Sequence, residues 1–200
     1  MPDHAVFILR FCLFAFAHSL FATGWVKRAV SGKAEGEPRF YRLVYNLASI
    51  ALFAWVMSAW RNSPVLYYAP GVWSLIMYLL QLVIASCLFC CLRQTGVADL
   101  LGFSQMRATT SSPPQLITSG CYGIVRHPLY LLTILFLGLN PVMTARWLLL
   151  TILSVIYFVS GALIEERRLV EQFGDEYRRY RQRVPFMIPG ARRVKQPPEV

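Results

Sequence analysis

The sequence predicts an all-α integral membrane bundle of about five transmembrane helices, followed by a cytoplasmic amphipathic C-terminal helix. Composition, the length of the apolar blocks and the placement of basic residues lead to that reading. Of 200 residues, 56% are hydrophobic and 15% charged, and the mean hydropathy is +0.46. Soluble domains usually carry more charge and less apolar surface. The apolar residues form blocks of membrane-spanning length, predicting spans at about 5–26, 41–60, 72–92, 124–139 and 142–164. The whole chain, 1–200, reads as a single membrane domain, with residues 1–95 as a three-span scaffold and 96–200 as a hairpin and C-terminal helix.

The net charge of +10 is unevenly placed. Five Lys or Arg lie between the first two spans, three in the third connection and nine after Ile164, against two in the second and fourth connections. The positive-inside rule therefore predicts a multi-pass protein with its N-terminus outside and its C-terminus in the cytoplasm. The basic tail suits anionic membrane lipid. Nucleic acid is not an expected partner, because no soluble domain presents a basic face. Ala15-Phe16-Ala17 has the look of a cleavage site, but without a basic region before it the first span is expected to stay uncleaved.

Within the first three spans, His18 and Asn46 read as helix–helix hydrogen-bonding residues. Arg10 suits an outward snorkel. Residues 62–71 read as a short outer loop rich in turn formers. The third span, whose one polar residue is Gln81, reads as scaffold. The polar loop 31–38 is a plain connection. The long connection 93–119 contains a mildly apolar piece, 97–103, and a Ser-Ser-Pro-Pro linker, 111–114; such length suits a binding loop. Cys87 and Cys90 have a redox or zinc spacing, but no second pair or histidine stands near them. The five cysteines therefore read as small apolar filler, and neither a metal nor a structural disulfide is expected.

Residues 116–130, LITSGCYGIVRHPLY, stand out because Arg126 and His127 abut an apolar segment. Polar groups at such a border are costly to desolvate and mark functional candidates. The fourth span starts at His127-Pro128, which points to a broken or tilted helix, and Asn140-Pro141 makes a tight helical hairpin with the fifth. Glu165 and Glu166 fall where the fifth apolar segment stops. Beyond them Leu169, Phe173, Tyr177, Tyr180 and Val184 recur at helical spacing, with Gly174 weakening the helix midway and Pro185 ending it. This aromatic face is expected to close over the motif or to lie on headgroups. Arg126 and His127 suit a carboxylate or phosphate, Tyr122 and Tyr130 an aromatic ring or cation, and the two glutamates hydroxyls, an amine or a sulfonium. The residues alone thus describe a charged, aromatic-bearing ligand at the cytoplasmic face.

Thr118-Ser119-Gly120-Cys121-Tyr122 followed by Arg126-His127-Pro128-Leu129-Tyr130 resembles the isoprenylcysteine carboxyl methyltransferase family, a superfamily that includes phospholipid and methanethiol methyltransferases. Glu165-Glu166, Phe173-Gly174, Tyr177, Tyr180, Val184-Pro185 and Pro189 continue the likeness. The first half, with His18-Ser19-Leu20 and residues 41–46, looks more loosely like the bacterial small-thiol branch. The resemblance implies a methyltransferase using S-adenosyl-L-methionine, with a small or lipophilic thiol or carboxylate as acceptor. It implies cofactor contacts from Gln115, Leu116, Ile117, Tyr122, His127, Pro128, Leu129, Tyr130 and Glu165, and catalytic roles for Glu165 and Arg126. Glu165 is expected to hold charge and not to act as a base. The prenylcysteine enzymes carry a substrate-binding arginine one turn before that glutamate; here Gly161 stands there, which implies a smaller or less acidic acceptor. The competing readings are a reductase-like protein on the same helical fold and a non-catalytic membrane protein.

Overall fold

The computed structural model describes residues 2–31, 40–96 and 115–190. The loop over 32–38, the apolar piece 97–103 and the linker 111–114 lie outside the described residues. The described residues form eight helices: α1 Asp3–Phe21, α2 Gly24–Ser31, α3 Tyr41–Met57, α4 Val72–Thr95, α5 Cys121–Ile124, α6 Pro128–Gly138, α7 Ala145–Phe173 and α8 Asp175–Arg183. Two short strands, β1 Val65–Tyr68 and β2 Val142–Thr144, pair with each other. The all-α expectation therefore holds except for this small sheet. β1 replaces the expected outer loop: its Val-Leu-Tyr-Tyr run has the β-branched and aromatic residues that suit a pleat.

Three helices, α1, α4 and α7, are long and apolar enough to cross a membrane. Apolar side chains of α4 such as Trp73, Leu75, Leu82 and Val83 are exposed, an arrangement that suits hydrocarbon and not water. The other two expected spans are the shorter apolar helices α3 and α6. At 1.5 Å per residue, the 11 residues of α6 extend only about 16 Å. The expected fourth span is broken: Val125 is extended, and Pro128 opens α6 at its first position, where the missing N–H costs nothing. α7 runs on to Phe173, so the helix continues past the end of the apolar run and Glu165 and Glu166 lie inside it.

The chain forms two compact units. In the first, α1 packs against α3. His18 Nδ1 lies 2.9 Å from Ser49 Oγ and its Nε2 2.8 Å from the Tyr45 hydroxyl, the helix-to-helix role expected of it. Arg10 also joins the two helices instead of only snorkelling, donating to Trp55 O at 3.0 Å and Ser58 Oγ at 2.8 Å.

The second unit contains α4, α5, α6, most of α7, and α8. α4 packs along α6, and Gln81 Nε2 donates to Phe136 O at 2.9 Å. The expected single tail helix is cut at Gly174, whose φ of 55° and ψ of −125° suit a residue without Cβ. The turn lets α8 fold back so that Tyr177, Tyr180 and Val184 pack with Leu116, Leu169, Val170 and Phe173.

A Cβ at Gly174 would meet nothing within 4 Å, so the cost of adding one is purely conformational. Gly174→Ala is expected to destabilise the fold by about 1–3 kcal/mol. Thermal unfolding in detergent measures this, and an unchanged midpoint would contradict the assignment of the turn.

Candidate functional site

In the second unit, the 116–130 motif and the end of the chain fold over one another. The Arg126 N–H donates to Pro185 O at 2.9 Å and the His127 N–H to Phe186 O at 3.3 Å. The Tyr180 hydroxyl donates to Tyr122 O at 2.6 Å, joining α8 to α5. The Phe186 ring meets His127 edge-on, with centroids 5.0 Å apart. Arg126 is the fastener: its Nε donates to Glu166 Oε1 at 2.6 Å, and its Nη1 to Val184 O at 2.7 Å and Arg181 O at 3.0 Å. The residue is only 8% exposed. A buried charge of this kind persists only when paired and hydrogen-bonded, and here both conditions are met.

The fold forms an open-mouthed cavity of about 210 Å³. All ten residues anticipated from the sequence line it: Gln115, Leu116 and Ile117 before the motif, Tyr122 on α5, Arg126 and His127 between α5 and α6, Pro128, Leu129 and Tyr130 on α6, and Glu165 on α7. Thr95, Leu169, Phe173, Tyr177 and Tyr180 complete the wall. The aromatic spacing of the tail pointed towards the last four, whereas nothing in the sequence singled out Thr95.

The two glutamates separate in role. Glu166 is buried with Arg126, whereas the Glu165 side chain is 47% exposed. Glu165 Oε2 accepts from the Tyr130 hydroxyl at 3.0 Å and lies 3.7 Å from His127 Nδ1. His127 stacks on Tyr130, and Tyr130 stacks on Phe158, with centroids 5.6 and 5.2 Å apart. His127 Nε2 lies 3.5 Å from Glu166 Oε1, outside hydrogen-bonding geometry. That nitrogen and the Tyr177 hydroxyl are buried atoms without a hydrogen-bond partner among the described residues. Buried polar atoms are rarely left so, and both residues belong to the cavity wall.

Burial pushes the Tyr180 hydroxyl up to about 12, with Arg126 opposing it, and raises Tyr177 too. Both stay neutral hydroxyls near neutral pH, able to donate or accept.

A covalent link was not anticipated. Cys91 on α4 forms a disulfide with Cys121, the first residue of α5, with Cα atoms 5.9 Å apart. The expectation of no structural disulfide is corrected: both were read as small apolar filler, and a sequence separation of 30 leaves no local mark of their contact. Cys12, Cys87 and Cys90 are free thiols, and no metal-binding group of side chains occurs among the described residues.

Long apolar helices and a polar-edged cavity define a membrane-capable helical protein with a ligand site. The chain belongs to the phospholipid methyltransferase family, whose family model matches residues 70–176. It is an enzyme, a methyltransferase. It is similar to Methanethiol S-methyltransferase 1 of Bradyrhizobium diazoefficiens, with 34% identity covering 94% of this chain and 67% of the relative. Methanethiol S-methyltransferase 2 of the same organism is 34% identical over 91% of this chain and 71% of its own. A Methanethiol S-methyltransferase of Pseudomonas deceptionensis is 40% identical over 36% of this chain and 28% of its own. The superfamily resemblance read from the motifs therefore holds and extends into the first half of the chain. No solved structure matches.

The unequal burial of the glutamates predicts unequal costs. Glu166→Ala strands the Arg126 charge and is expected to destabilise the protein by about 3–5 kcal/mol. Glu165→Ala is expected to cost no more than about 1 kcal/mol. Denaturation of both variants in detergent measures the difference, and equal losses would contradict the separation.

Proposed function

We propose that this methyltransferase binds S-adenosyl-L-methionine in the cavity of the second unit and methylates a small thiol. The observation that carries the reading is the Glu165 carboxylate at the edge of a cavity walled by the Tyr122, Tyr130 and Tyr177 rings, the last with a buried hydroxyl that has no hydrogen-bond partner among the described residues. They suit a polar, cationic ligand. Drug-sized ligands usually occupy more than about 300 Å³, so a nucleoside-sized one would use the open mouth as well as the enclosed space.

When bound, S-adenosylmethionine supplies a methyl group on a sulfonium, activated for in-line displacement. His127, Tyr177 and Gln115 would hold its polar groups, Leu116 and Ile117 would pack on its apolar parts, and Tyr122 would face an aromatic or cationic part. Glu165, oriented by Tyr130, would balance positive charge without taking a proton. Arg126 has its donors on Glu166 and two carbonyls, so we assign it to positioning and not to the chemistry expected of it. A thiol acceptor must lose its proton before attack, because the thiolate is the nucleophile. The transfer itself then needs orientation, which effective molarities show to be worth up to about 7–11 kcal/mol.

The small acceptor follows from two supports. The similar relatives are methanethiol S-methyltransferases by name. At Gly161 a Cβ would meet nothing within 4 Å, leaving space where a prenylcysteine-binding arginine would stand. A lipophilic carboxylate is the less favoured acceptor. In the membrane, we assign five crossings, with α3 and the α5–α6 segment joining the three long helices, the N-terminus outside and the C-terminus cytoplasmic. α8 then lies at the inner surface, its exposed Arg178, Arg179 and Arg183 towards anionic headgroups.

Calorimetry on detergent-solubilised protein tests the site. Wild type is expected to bind S-adenosylmethionine and S-adenosylhomocysteine, and Glu165→Gln and His127→Ala each to raise Kd by at least about tenfold, or 1.4 kcal/mol. Methyl transfer is expected with methanethiol in preference to prenylcysteines or amino lipids. Wild-type affinity in both variants would remove the site, and a preference for prenylcysteine would remove the acceptor.

A further inference from the structure

The last turn of α4 lies outside the motif yet grips it. Gln94 Nε2 donates to Ser119 O at 2.6 Å, and the Cys121 N–H donates to Gln94 Oε1 at 3.2 Å. One side-chain amide thus serves a carbonyl and an N–H on either side of Gly120, as a neighbouring strand would. Gly120 has a φ of 60°, and a Cβ there would come 2.5 Å from Gln94 Oε1. The missing side chain is what allows the amide to seat against the backbone. One turn earlier on α4, Cys91 is bonded to Cys121. The residues that follow these anchors, Thr95 and Tyr122, both line the cavity.

We propose that Gln94 is a positioning residue for methyl transfer, setting the Ser119–Gly120–Cys121 backbone and through it Tyr122, with the Cys91–Cys121 bond as a second, parallel fastening. The inference rests on the donor site proposed above. α4 is itself held by packing on α6 and by Gln81, so a rigid helix transmits its position to a loop that its own glycine leaves free to relax. Without the amide, the Ser119 carbonyl and the Cys121 N–H lose their shared partner and the loop can shift. Misplacement by about 1 Å in an active site can cost about 100-fold in rate.

The test uses the 200-residue chain in detergent, with S-adenosylmethionine affinity by calorimetry and methyl-transfer kinetics with methanethiol. Gln94→Ala is expected to raise the donor Kd by about tenfold and to lower kcat, while the acceptor KM changes by less than about twofold. Cys91→Ser is expected to lose less than Gln94→Ala. Because each fastening backs up the other, the double variant is expected to lose more than the product of the two. Gln94→Glu keeps an acceptor for Cys121 but no donor for Ser119, so its loss is expected to be intermediate. It serves also if the alanine variant does not fold. Wild-type donor affinity in Gln94→Ala or Gln94→Glu, or single effects that simply multiply, would overturn the proposal. A wild-type protein that binds no S-adenosylmethionine would instead remove the functional reading on which it rests.

Discussion

One buried guanidinium holds the second unit's site together. Arg126 reaches Glu166 on α7 and the carbonyls of Arg181 and Val184 at the end of α8. A single side chain therefore joins its own segment to two others, 40 to 58 residues away in sequence. Isolated burial of such a charge would cost several kcal/mol. Its fixed fork of donors recovers that cost only if all three segments stand where they do. The pair is thus a geometric constraint more than a source of net stability.

The remaining features follow from that constraint. Because α8 is drawn back, Tyr177 and Tyr180 become walls of the cavity, and the aromatic face of the tail is buried against Leu116 and Phe173. Gly174 supplies the turn that makes this possible. Because Glu166 is committed to Arg126, Glu165 is left at the cavity edge, half-exposed and oriented by Tyr130. Consecutive residues on a helix point about 100° apart. That angle turns one acidic pair into a structural residue and a site residue.

Arg126, His127, the two glutamates and the aromatic tail were legible in the sequence as local signals, whereas residues 115–117, 128 and 129 were implied only by the family resemblance. The lining residues 115–117, 122, 126–130 and 165 all meet in one cavity. What was not legible depends on distance along the chain. Gln94 and Ser119, 25 residues apart, and Cys91 and Cys121, 30 apart, carry no local mark of their contact. The different fates of Glu165 and Glu166 could not be read because the apolar run stops at Ile164 although the helix does not. The strand at Val65–Tyr68 was hidden for a related reason: its pairing partner follows Asn140-Pro141, where a helix was expected to begin.

The central claim is that the Arg126 fork holds α8 over the cavity. Amide hydrogen exchange on wild type and Arg126→Gln in the same detergent measures this directly. The account predicts that residues 175–184 of the variant lose protection by at least about 100-fold, about 2.8 kcal/mol, while α1 and α3 exchange as in wild type. Unchanged protection over 175–184 would contradict it.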